Sequence, residues 1–370
     1  MSKPPIAPRK PFWPKRRAPP PPPGARAEPI GFRDVRLSLL DDLEATAFFF
    51  QEAAGGSHAR RDPVKVLALS GGGAGGAFGA GALVGLSRAG ARPTFDLVTG
   101  VSTGALIAPF ALLGSAWDER LQDAYTGGYA AELLGLMAVR PGVSLYPAER
   151  LEALVGRYVD AEMIEAVAAA HRAGRRLFVA TANLDAQTTS IWDMGGIAAR
   201  GGPEALRLFA DILIASASVP GVFPPKLLRV EADGTSYDEL HVDGGAISPL
   251  FVVPEPLILR RAREHASGGA EVYVLVNTTL EPTPRPTPLG AVPVLVRSFE
   301  LMLRSSYRSA VRSVAAFCQL NDFPLHSASI PADGDGANML RFDREAMTRL
   351  FLHGAEIAES GRLWRRSQPL

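Results

Sequence analysis

Apolar and polar positions change rhythm repeatedly along this chain. Residues 64–69 (VKVLAL) form a nearly continuous apolar run, the pattern of a strand buried on both faces. Glycine follows at once: seven of the eleven residues from Gly71 to Gly81 are glycine. GAFGAGALVGLSRAG then reads as a helix ending at Gly90. FDLVTGV is a second strand and TGALIAPFALLG a second helix, stopped at Gly114. Helical pieces fill 118–156, broken at TGGY and RPGVSLYP. RRLFVATANLD and TTSIWDMG read as a third strand and its hairpin or sheet neighbour. PEALRLFADILIASASV reads as a helix, ELHVDGGA as a strand and turn followed by SPLFVV, and EVYVLVNTTL as a strong strand. One long helix covers VPVLVRSFELMLRSSYRSAVRSVAAFC. A late strand in SASIPADG and a last helix in DREAMTRLFLHGAEIAESG complete the order. This alternation predicts an α/β fold, a mostly parallel central sheet covered by helices on both faces, without internal repeats.

Upstream the rhythm differs. In residues 32–53, Val35, Leu39, Leu43, Ala47 and Phe50 recur at spacings of three and four, which predicts an amphipathic helix; with the breaker GGSHARRDP it makes a segment 30–61. That helix packs on the domain or lies on a membrane. Residues 1–29 hold eleven prolines and seven Lys or Arg against one Glu, and read as a disordered, polyproline-like basic tail. Such a tail is a solvated leader, or docks a partner domain or an anionic membrane surface.

Composition narrows the function classes. The chain has 370 residues, 47% hydrophobic, with net charge +1. That balance gives no support to a nucleic-acid partner. Cys318 is the single cysteine, in the apolar helical context VAAFCQL, so it reads as a small core residue. No apolar run has the length of a membrane span and no export signal opens the chain. The expectation is a cytoplasmic protein, with peripheral membrane contact as a variant of it.

The chemistry concentrates in three places. Gly100-Val101-Ser102-Thr103-Gly104 is G-x-S-x-G between a strand and a helix, where a strained turn lifts a serine hydroxyl above the sheet; the helix N-terminus favours negative charge there. A serine needs a base. The histidines are His58, His171, His241, His265, His326 and His353, and none stands in a glycine-rich loop after a strand. His241 and Asp243, two apart on one strand, share a face. Asp243, followed by Gly244 and Gly245, is exposed at a strand's carboxyl end, where open α/β sheets bind ligands. It reads equally as an ordinary turn aspartate. No metal-ligand spacing such as H-E-x-x-H is present, and no cofactor is called for.

Taken together, GGGAGG (71–76), GVSTG (100–104), ASASVPGVFPP (215–225) and DGG (243–245) resemble the patatin-like phospholipase family, over about residues 62–330. The resemblance implies a patatin-like hydrolase domain at 62–330; the remaining residues, 331–370, read as a C-terminal helical extension packed on it. It implies a Ser–Asp dyad, with Ser102 as nucleophile, Asp243 as base and Gly71, Gly72 and Gly73 as oxyanion hole. The substrate it implies is a fatty acyl ester of a phospholipid, a lysophospholipid or another lipid. Phe110, Trp117, Met137 and Phe223 are candidates to line an acyl channel. The sequence departs from the family at Gly75, where the family usually carries Arg or Lys. That puts a headgroup-binding cation in doubt, while an oxyanion hole of backbone amides should survive.

Other classes remain to be tested. Gly71, Gly73 and Gly76 fit G-x-G-x-x-G, and Asp96 follows at the spacing of a ribose-binding acid, as in a dinucleotide-binding Rossmann protein. Asp96, however, begins its strand instead of ending it. A patatin-fold protein that binds lipid or a partner without hydrolysis, and a Ser-His-Asp lipase using His241 or His353, are further alternatives.

Overall fold

The computed structural model describes residues 14–38, 63–134, 146–252, 269–282, 284, 286–332 and 342–366. The strands are β1 (Glu28–Pro29), β2 (Arg36–Ser38), β3 (Val64–Leu69), β4 (Leu97–Val101), β5 (Arg176–Asn183), β6 (Thr188–Asp193), β7 (Lys226–Ala232), β8 (Thr235–Asp243), β9 (Ala270–Val276), β10 (Leu325–Ser329) and β11 (Arg365–Arg366). The helices are α1 (Gly76–Arg88), α2 (Thr103–Leu113), α3 (Asp118–Thr126), α4 (Tyr129–Leu134), α5 (Ala148–Tyr158), α6 (Ala161–Arg172), α7 (Met194–Arg200), α8 (Gly202–Ala217), α9 (Ala291–Leu320) and α10 (Arg344–Glu359).

All eleven strands of the described residues join one sheet, in the order β1-β7-β8-β5-β4-β3-β9-β10-β11, with β6 on the other edge of β5 and β2 beyond it. The central strands β10, β9, β3, β4 and β5 are parallel, as the alternating pattern predicts. Around them, β6, β8, β7 and β1 pair antiparallel, so the whole sheet is mixed. Strand alternation on β3 sorts the two cores. Leu67 and Leu69 face a large cluster with α1, α2 and α8, while Val66 and Ala68 face Val314, Phe317 and Cys318 of α9. Burial pushes the Cys318 thiol up to about 12, as suits a core cysteine.

Upstream segments differ from the sequence expectation. The predicted amphipathic helix begins as a strand: β2 pairs antiparallel with β6, Leu37 is buried in the second core, and Arg36 forms an ion pair with Glu239. Sheet pairing and a buried ion partner outweigh helical periodicity here; the rest of that helix lies outside the described residues. Residues 14–29, mostly exposed, are nonetheless tied to the sheet. The amides of Arg17 and Ala18 donate to the Asp238 carboxylate, and β1 extends the sheet along β7. The C-terminal part packs on the domain through α10, which crosses α1 so closely that a Cβ on Gly81 would meet the backbone of Phe351. No described helix is long and apolar enough to cross a membrane.

Candidate active site

Ser102 and Asp243 meet because β5 changes partner partway along one edge. Up to Ala180, that edge pairs with β4, ending at Val101. From Thr181 it pairs with β8, beginning at Asp243. Ser102 leaves the end of β4 just where Asp243 takes up the edge.

Ser102 adopts φ 56° and ψ −127°, a strained conformation for a residue with a side chain. Its two flanking glycines are required by close approach. A Cβ on Gly100 would lie 2.6 Å from the Gly104 oxygen, and one on Gly104 2.4 Å from the Leu69 oxygen. The turn is also held from outside. The Ser102 amide donates to the Ser216 hydroxyl at 3.0 Å, and that hydroxyl donates to the Ala180 carbonyl at 2.7 Å. Two residues on, the Ser218 carbonyl accepts the Asp243 amide at 3.0 Å. The end of α8 thus fixes both members of the pair.

Asp243 is buried. Its Oδ1 accepts the Gly245 amide at 2.7 Å, while its Oδ2 is buried without a hydrogen-bond partner. Burial pushes the carboxyl up to about 7; the nearby Ser102 hydroxyl and the Gly245 amide pull the other way, more weakly. Ser102 therefore stands close enough to influence the carboxyl, without closing a hydrogen bond to Oδ2 in this resting arrangement.

The glycine loop follows β3. The Gly71 amide already donates to the Pro249 carbonyl at 3.2 Å, so it is no free oxyanion donor, contrary to the expectation for this residue. What Gly71 supplies is closeness, since a Cβ there would lie 2.7 Å from the Tyr307 hydroxyl and 3.1 Å from the Ser102 Cβ. Gly72 and Gly73 line the cavity in front of Ser102. Asn277, just past β9, pins the loop: its amide donates to the Ser70 hydroxyl at 2.9 Å and its Nδ2 to the Ser70 carbonyl at 2.8 Å.

Ser102 and Asp243 open onto an apolar cavity of about 90 Å³, walled by residues such as Leu151, Val222, Phe223, Phe299 and Leu303. A second apolar chamber of about 70 Å³ shares Gly73, Thr103 and Leu106 with it and runs inward to Phe110, Tyr158 and Leu213. Of the four channel candidates, Phe223 lines the outer chamber and Phe110 the inner one. Trp117 packs edge-on against Phe110 and lines neither. Met137 lies outside the described residues.

The described histidines stand away from this cavity. His241 is fully buried, with its ring nitrogens on Thr181 and Glu239. His326 pairs with Glu271, His171 lies 3.8 Å from Asp193, and His353 packs near Phe78. His58 and His265 lie outside the described residues. Asp96 sits at the start of β4, its carboxylate on the Lys65 amide, at the opposite end of the sheet from the glycine loop. Among the described residues, no cluster of His, Cys, Asp and Glu could hold a metal ion.

A family model described as patatin-like phospholipase matches residues 67–254, half of the chain. The chain belongs to the patatin-like phospholipase family. This patatin-like chain is also similar to solved structures. VipD from Legionella pneumophila is 12% identical, covering 79% of this chain and 67% of its own, with a TM-score of 0.39. Human GIVD cytosolic phospholipase A2 is 14% identical, covering 92% and 65%, with a TM-score of 0.41. The chain thus spans about two thirds of the length of either. No curated protein matches it.

Three residues of the site escape sequence reasoning. Ser216 lies inside the quoted ASASVPGVFPP block without any signal for its role. Asn277 and Tyr307 reach the loop from β9 and α9, and only tertiary structure brings them there.

Proposed function

We propose that this patatin-like protein is a serine acyl hydrolase that cleaves fatty acyl esters of phospholipids, lysophospholipids or other lipids through a Ser102–Asp243 dyad. Family membership supports lipid hydrolysis. The observation that carries the dyad is the partnerless, buried Oδ2 of Asp243 beside a strained Ser102 at the mouth of two apolar chambers.

A carboxyl raised to about 7 is half-ionised near neutrality, which suits a general base. In the first step Asp243 takes the Ser102 proton as the hydroxyl oxygen attacks the ester carbonyl. The oxyanion that forms is held by the amides of Gly72 and Gly73. Collapse expels the alcohol, protonated by Asp243, and leaves the acyl group on Ser102. Water then attacks with Asp243 again as base and releases the fatty acid. On this reading the apolar inner chamber takes the acyl chain, and the outer one takes the remainder of the lipid.

Labelling the protein with a fluorophosphonate probe, followed by peptide mapping, tests this reading. The label belongs on Ser102, and Ser102→Ala and Asp243→Ala should each abolish p-nitrophenyl ester hydrolysis while leaving the fold intact. Normal turnover by Asp243→Ala, with loss in a histidine variant, would replace the dyad by a triad. A protein that binds lipid but takes no label and turns nothing over would be a binder.

A further inference from the structure

The helix α9 carries three different stripes. Phe299, Leu303 and Tyr307, at successive spacings of four, face inward and wall the outer chamber. Leu295 and Met302, seven apart, lie beside that stripe, and they are 70% and 63% exposed. Val294 and Leu301 lie further out, 49% and 54% exposed, and Leu289 just ahead of the helix is fully exposed. Arg308 and Arg312 continue the outer stripe and are exposed. Over its 30 residues the helix carries four arginines, Arg297, Arg304, Arg308 and Arg312, against one acid, Glu300.

Large apolar side chains clustered in the open mark a contact surface. Here the cluster adjoins the wall of the chamber, since Leu295 and Met302 stand four and three residues from the lining residue Phe299 on the same helix. An excess of arginine on the same helix matches a negatively charged surface. From this adjacency and the charge, we infer that the first half of α9 is an interfacial anchor, which inserts Leu289, Leu295 and Met302 into an anionic phospholipid bilayer while Arg308 and Arg312 meet its headgroups. The partner follows from the lipid substrate proposed above; the docking itself does not need Ser102 chemistry.

Co-sedimentation of the full-length protein with phosphatidylcholine vesicles, with and without phosphatidylglycerol, tests this. Ser102→Ala should bind as the unaltered protein does, which separates docking from turnover. The pair Leu295→Asp and Met302→Asp should weaken binding to both vesicle types about tenfold or more. The pair Arg308→Gln and Arg312→Gln should weaken binding only to the phosphatidylglycerol vesicles, by several-fold, with a shallower salt dependence. Hydrolysis of a short, soluble p-nitrophenyl ester should be unchanged in all but Ser102→Ala, and it reports on folding. Leu295→Trp keeps the position apolar and should shift its emission to the blue when vesicles are added. Unchanged binding by the aspartate pair, or no emission shift, overturns the inference. So does a concentration-dependent dimer that the aspartate pair abolishes, because the stripe would then face a second copy of the chain.

Discussion

The main-chain oxygen of Asn277 occupies the space that any side chain on Gly75 would need: a Cβ there would lie 2.1 Å away. Backbone at the end of an internal strand cannot step aside as a flexible side chain can. The cation usual in the family at this position therefore has no room. Gly75→Arg should lose stability instead of gaining a headgroup contact, by about 1–3 kcal/mol or more. Urea unfolding of Gly75→Arg and Gly75→Ala checks this. Wild-type stability with tighter anionic-lipid binding in Gly75→Arg would show that β9 yields.

Asn277 also ties the glycine loop to β9 through both hydrogen bonds to Ser70. Asn277→Ala keeps the main-chain bond and removes the one from Nδ2. A loop displaced by a fraction of an ångström spoils oxyanion geometry more than substrate binding, so kcat should fall about 10- to 100-fold with KM nearly unchanged. Steady-state kinetics on a soluble ester decide it; a rise in KM alone would assign Asn277 to binding.

The raised Asp243 carboxyl predicts two opposite pH trends. The proposed dyad needs the carboxylate, so kcat/KM should rise with pH to a plateau above about 7. Stability runs the other way. Between about pH 4 and 7 the folded carboxyl keeps a proton that the unfolded chain has released. Folding therefore takes up a proton in that window, and stability from this group is lost as pH rises through about 7. Asp243→Asn should be inactive, yet more stable than the unaltered protein at pH 8, by an amount on the order of a few kcal/mol. Thermal melts of both at pH 5 and pH 8 test this; the difference should be clearly larger at the higher pH.

The Ser102 amide donates to the Ser216 hydroxyl. Ser216→Ala leaves a buried N–H unsatisfied at the strained turn, at a cost of about 1–3 kcal/mol. Loss of stability should come with slower labelling of Ser102 by a fluorophosphonate. Unaltered labelling would show that the flanking glycines alone hold the turn.

Leu106 lies between the two chambers and lines both. Leu106→Phe should narrow the passage. Turnover of long-chain p-nitrophenyl esters should then drop while that of the butyrate ester persists. An equal drop for both lengths would mean that the acyl chain does not enter the inner chamber.

What was legible in the sequence is what local sequence fixes. The turn at Ser102, the glycine loop and the strand end at Asp243 are each contiguous, and their chemistry follows from a few neighbours. The parallel centre of the sheet follows from alternating periods. The β7–β8 hairpin is marked locally by Asp233-Gly234, where both turn residues have positive φ. The rest depends on contacts between distant segments. Nothing in the spacing of PFWPKRRAP announces that residues 17 and 18 will bond Asp238, and nothing near GGG reveals that Pro249 takes the Gly71 amide.

The handover on β5, from Val101 to Asp243, has a consequence for how the protein comes into being. The stretch up to the end of α8 contains Ser102, the glycine loop and much of the apolar wall, but not Asp243. The proposed dyad is therefore complete only once β8 has taken its place along the second half of β5. Under that proposal, a chain cut after α8 should take no fluorophosphonate label.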